Sequence, residues 1–103
     1  MRPPESFTKI IGKKKYSVKT ATLIAGDDYW DGHNFERHGR NTFLYRTPNT
    51  GAYFTVTLSQ WQGEQDRLEV ITQEEAIQLY ETSLSEHYQN YAESFPGVLV
   101  EDA

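Results

Sequence analysis

At 103 residues the chain is long enough for one domain with a modest core. Its 37% apolar content is offset by 14% aromatic residues, each of which removes a large area from water when buried. Cysteine is absent, which excludes disulfides and thiolate metal sites, and no run of about 18 apolar residues is present to cross a membrane as a helix. The net charge of −5 is unevenly spread: residues 1–20 carry six cations against Glu5, whereas residues 64–103 carry ten acids against Arg67.

Residues 1–8, with two prolines, read as a loose arm without the apolar stretch of a signal peptide, so a cytoplasmic location is expected. Lys9-Ile10-Ile11-Gly12 followed by Lys13-Lys14-Lys15-Tyr16 reads as two short extended pieces around a tight turn at Gly12. Ser17 then suits a helix N-cap, and Val18, Ala21, Leu23, Ile24 and Ala25 give a short helix one apolar face, closed by Gly26. The β-branched residues in it make that helix weak without packing. Asp27 to Arg40 has no period and holds Tyr29, Trp30 and Phe35; aperiodic connections of this length often carry function.

From Thr42 to Leu58 two runs rich in aromatic, β-branched and Thr residues flank a turn at Pro48-Asn49-Thr50-Gly51, the pattern of a β-hairpin. In its second strand Ala52, Phe54, Val56 and Leu58 alternate with Tyr53, Thr55, Thr57 and Ser59, which places the first set in the core and the second outward. Phe43-Leu44-Tyr45 is apolar at every position, so that strand is expected to be covered on both faces. A polar loop around Trp61 leads to a third strand at Arg67–Ile71, where alternation resumes. Thr72-Gln73-Glu74-Glu75 is a capping box for a helix through about Thr82. Ser83-Leu84-Ser85-Glu86 repeats the box, and Leu84, His87, Tyr88, Tyr91 and Phe95 form a helical stripe ended by Pro96-Gly97. The predicted fold is α+β, a single domain with loose ends at 1–8 and 98–103. It comprises a three- to four-stranded antiparallel sheet, one short helix before the central hairpin, and two C-terminal helices packed on one face.

The sites follow from the same residues. Asp27, Asp28, Asp31, His33, Glu36 and His38 offer metal ligands, but an EF-hand alignment puts Tyr29 at its third position and His38 at its twelfth, where a bidentate Glu is required. The His33/His38 spacing does not put both rings on one helix face, so neither a metal nor a cofactor is expected. Neither a Gly-x-Ser-x-Gly turn nor a phosphate loop occurs, and the chain is not expected to be an enzyme. Lys13, Lys14, Lys15 and Lys19 offer phosphate contacts, with Tyr45, Tyr53, Trp30 or Trp61 to stack on bases, against the repulsion of the acidic total. Protein binding is the leading expectation, because Tyr and Trp are favoured in interface hot spots. Its anchors are Tyr29, Trp30, Asp31, Phe35, Tyr53, Thr55 and Trp61, with Glu74 and Glu81 facing a cationic partner.

The order of motifs resembles a group of small uncharacterised proteins encoded by bacteriophages and other bacterial mobile elements. The residues that carry the resemblance are Lys14-Lys15-Tyr16 with Thr20-Ala21, Leu44-Tyr45-Arg46-Thr47 with Gly51-Ala52-Tyr53-Phe54, Ile71-Thr72-Gln73-Glu74-Glu75-Ala76, and Tyr88 to Gly97. The resemblance spans residues 9–97 and implies no catalytic residue or cofactor. It implies a context in which small acidic proteins bind host machinery, including the nucleases of defence systems, as anti-CRISPR proteins do. The expected function is therefore a non-enzymatic inhibitor that binds a host protein, with a nucleic-acid-binding accessory role as the alternative.

Overall fold

The structure is a computed structural model that describes residues 3–27, 40–59, 66–84 and 86–101. Its first element is a separate hairpin, β1 (Thr8–Ile11) paired antiparallel with β2 (Lys14–Ser17). Gly12 and Lys13 between them both have positive φ, +59° and +67°, the signature of the two-residue turn whose twist matches that of the strands. Of the N-terminal arm, Pro3 is buried, Phe7 packs against the core and Thr8 already belongs to β1.

The main sheet holds β3 (Thr22–Gly26), β4 (Arg40–Arg46), β5 (Tyr53–Ser59), β6 (Arg67–Ile71) and β7 (Glu86–His87), in the order β6-β5-β4-β3-β7 and antiparallel throughout. The central hairpin is β4–β5, with Arg46 opposite Tyr53 and Arg40 opposite Ser59. Thr47 closes its loop twice: its N–H donates to Ala52 O at 2.8 Å and its hydroxyl accepts from Ala52 N–H at 2.9 Å. Among the described residues there are two helices, α1 (Gln73–Glu81) and the single turn α2 (Tyr91–Ser94). Thr72 and Glu75 form the expected capping box on α1.

The expected α+β fold is overturned. Among the described residues the protein is mostly β, a five-stranded sheet and a two-stranded sheet with two short helices, not a three- to four-stranded sheet carrying two packed C-terminal helices. Two local errors produce the difference. The helix expected over residues 18–25 is absent: Ser17 O accepts one turn-like bond from Ala21 N–H, and Thr22–Gly26 then joins β4 as a strand. Thr22 and Ile24 are β-branched and lose side-chain freedom in a helix, so the free edge of β4 wins. A register shift between Leu23 and Ala25 bends the new strand.

The helix expected from Ser83 is also replaced. Leu84 N–H donates to Leu79 O at 2.9 Å, closing α1, and the chain turns back so that Glu86 and His87 pair with Gly26 and Ala25. Tyr88 and Gln89 N–H both donate to Ile24 O, at 2.8 and 3.2 Å. Sheet pairing of β3 outcompetes the local helical stripe, since an unmet backbone group costs more than a weak helix returns. Helical structure resumes only at Asn90, which forms its own capping box with Glu93.

Each face of the main sheet carries its own core. On one, Phe43, Tyr45, Phe54, Val56, Leu58 and Leu68 pack beneath Tyr16 and Val18 from the β2 end of the hairpin. Phe54 stacks on Tyr45 with ring centres 5.2 Å apart and meets Tyr16 edge-on. On the other, Ile24, Ala25, Leu44 and Tyr53 pack against Ala76, Tyr80, Leu84 and Phe95. The covered strand at Phe43-Leu44-Tyr45 is as its continuous apolar run predicts.

Candidate functional site

The layers that cover the two faces carry opposite charge. The β1–β2 turn holds Lys13, Lys14 and Lys15 follow it in β2, and Lys9 and Lys19 lie toward the other end of the hairpin, all five exposed. On the opposite side α1 and the segment that follows it carry Glu74, Glu75, Glu81 and Glu93, all exposed, with Glu86 half-buried beside them. Glu74 and Glu81 are seven residues apart, two turns of helix, and so lie along one stripe of α1 about 10 Å apart.

Aromatic packing sets the position of this acidic surface. Tyr80 stacks on His87 at 3.8 Å between ring centres and meets Tyr91 and Phe95 edge-on. The Tyr80 hydroxyl donates to Gln89 O at 2.7 Å, and a His87 ring nitrogen lies 2.8 Å from Tyr80 O. The Tyr91 hydroxyl donates to Glu81 Oε2 at 3.1 Å. Burial raises the Tyr80 hydroxyl above the ordinary tyrosine value, with the Glu93 carboxylate adding to it. Tyr91 is raised by desolvation first, then by its hydrogen bond to the Glu81 carboxylate and by the charges near it. An open groove of about 210 Å³ is lined by Ile71 at the end of β6, by Glu75, Gln78 and Leu79 of α1, and by Thr82 and Ser83 after it.

Glu81 sits against the field of its own helix. The C-terminal end of a helix is its negative end, and the last turn of α1 has no basic residue. A carboxylate there is unfavourable for the isolated helix, and the Tyr91 hydroxyl partly offsets it while fixing its direction. Exposed, held carboxylates of this kind are good acceptors for Arg and Lys.

The sequence-derived anchors divide three ways. Tyr29, Trp30, Asp31, Phe35 and Trp61 lie outside the described residues, as do most of the metal-ligand candidates. Tyr53 and Thr55 are corrected: they are 4% and 7% exposed, not outward. Tyr53 points into the second core, where its hydroxyl donates to Ser94 O at 2.7 Å. Alternation is blind to a second covering layer, and it misassigns this face for that reason. Tyr45 is likewise buried beneath the hairpin and does not offer a stacking surface for bases. Glu74 and Glu81 share one stripe of α1, whereas the exposed lysines do not share one face: Lys14 and Lys15 are consecutive in β2 and point to opposite sides, and Lys19 lies beyond the end of β2 far from Lys13. Sequence reasoning missed Glu93 and Tyr91 as members of the acidic surface; the Asn90-x-x-Glu93 box was the available signal, whereas the Glu81–Tyr91 contact had none.

Asp27, the metal-ligand candidate that is described, is used structurally: its carboxylate accepts from Thr42 N–H at 2.6 Å and from the Asn41 amide. Among the described residues no group of three or more acidic or histidine side chains could hold a metal ion, and no helix is long and apolar enough to cross a membrane. No family model, curated protein or solved structure matches the chain.

Proposed function

We propose that this is a non-enzymatic phage or mobile-element protein that acts in the bacterial cytoplasm by binding a host protein or complex, as a defence inhibitor of the anti-CRISPR kind. The observation that carries the reading is the sorting of charge into layers, with Glu74, Glu75, Glu81 and Glu93 on one side of the sheet and the lysines on the other. An acidic surface backed by a rigid sheet resembles nucleic acid to a cationic cleft, and steers association through long-range attraction. Glu81, held against the helix field by Tyr91, is the residue most expected to sacrifice stability for binding.

The test is capture from host lysate at low salt and at about 0.5 M salt, where screening is within a few ångströms. The expected result is a specific partner whose capture weakens with salt, falls on Glu74→Lys with Glu81→Lys, and is displaced by nucleic acid. Recovery of no partner at either salt defeats the reading. The exposed lysines of the hairpin support a second one, an accessory protein that binds nucleic acid directly. In that case labelled DNA binds at micromolar concentration, and replacing Lys13, Lys14 and Lys15 by Ala abolishes it.

A further inference from the structure

β6 ends the main sheet, and among the described residues no strand lies beyond it, so its outer backbone groups face outward. Leu68 and Val70 point to the hairpin side, but Val70 remains 40% exposed at the edge. Arg67 and Glu69 point to the opposite side with side chains 68% and 61% exposed, 3.8 Å apart. We infer that β6 is a self-pairing edge, through which two copies of this chain join antiparallel about a two-fold axis at Leu68 to form a continuous ten-stranded sheet.

The charges along β6 select a second copy of this chain as the partner strand. A two-fold axis perpendicular to the sheet sets residues of the same face opposite one another. Centred on Leu68, it places Arg67 opposite Glu69 of the second copy, and Glu69 opposite Arg67, so two ion pairs form. Val70 then stands opposite Asp66 of the second copy, with Leu68 of that copy on the diagonal. Centred on Glu69 or on Arg67, the axis sets like charges face to face. Centred on Val70, it leaves Arg67 outside the pairing altogether. The charges therefore permit one register and oppose its neighbours, the way edges are protected against wrong partners. This inference is independent of the host partner proposed above, which uses the charges of α1.

Strand pairing alone buries less than a standard interface, so association is expected with Kd on the order of 100 µM. Sedimentation velocity from about 10 µM to about 1 mM protein at low salt spans that value. The weight-average mass should rise from one chain towards two, with β6 amides exchanging more slowly as concentration increases. Arg67→Glu or Glu69→Arg alone should raise Kd about tenfold by setting like charges opposite. The double variant R67E/E69R restores complementarity and should recover wild-type association to within about twofold. Both side chains are mostly exposed, and circular dichroism of each variant checks that the fold is kept. The inference is overturned by a monomer mass over the whole range, by reversal variants that associate as the wild type does, or by a double variant that does not recover.

Discussion

Lys13 occupies a left-handed backbone conformation that a side chain disfavours by roughly 1–2 kcal/mol, yet its own side chain is exposed. Lys13→Gly removes that strain at some cost in unfolded-chain entropy, and should stabilise the protein by about 0.5 kcal/mol. A thermal melt checks it, since 1 kcal/mol corresponds to roughly 4–8 °C in a domain of this size. Tyr53 presents the opposite case. Its hydroxyl satisfies Ser94 O inside the second core, so Tyr53→Phe should destabilise by about 1–2 kcal/mol in denaturant unfolding while leaving ring packing intact. A residue that merely decorated the surface would show no change, which makes this substitution a direct check on the correction to its predicted outward role.

At the scale of elements, the two helices depend on their caps to different degrees. Thr72→Ala removes one box from a nine-residue helix and should cost about 1 kcal/mol. Asn90→Ala removes the box from a single turn that has little else to specify it, so amide exchange should rise locally across residues 91–95 as well as global stability falling by a similar amount. Glu81→Lys should have the reverse sign, stabilising α1 by about 0.3–1 kcal/mol through the helix field less the lost Tyr91 contact, while weakening capture of a cationic partner. Stability and binding moving in opposite directions would mark Glu81 as functional.

For the whole molecule, alkaline pH probes the second core. Tyr80 and Tyr91 titrate above their ordinary value when folded, so below about pH 10 both folded and unfolded chains keep these protons and stability is unaffected. As pH rises past 10 the unfolded chain releases its protons first, and stability falls until the folded hydroxyls ionise. Urea unfolding between pH 9 and about 11.5 should show this decline, and Tyr80→Phe with Tyr91→Phe should flatten it relative to the wild type.

The central hairpin, the small N-terminal hairpin, β6 and the Thr72 box were legible in the sequence because each rests on neighbours within a few positions: alternation, a turn residue, a cap and its partner. The acidic and basic surfaces were legible too, since charge that cannot be buried unpaired must go outside. Residues 22–26 and 83–89 were not, because both carry a passable helical pattern and the deciding contribution comes from elsewhere. β3 forms because β4 offers it an edge, and β7 forms because β3 then needs one. Likewise the burial of Tyr53 and Thr55 depends on a layer contributed by α1 and Phe95. Local chemistry therefore determined where the chain turns, caps and carries charge. Which strands meet, and which sheet face is covered, was decided only by backbone groups and apolar surface far apart in sequence satisfying one another at once.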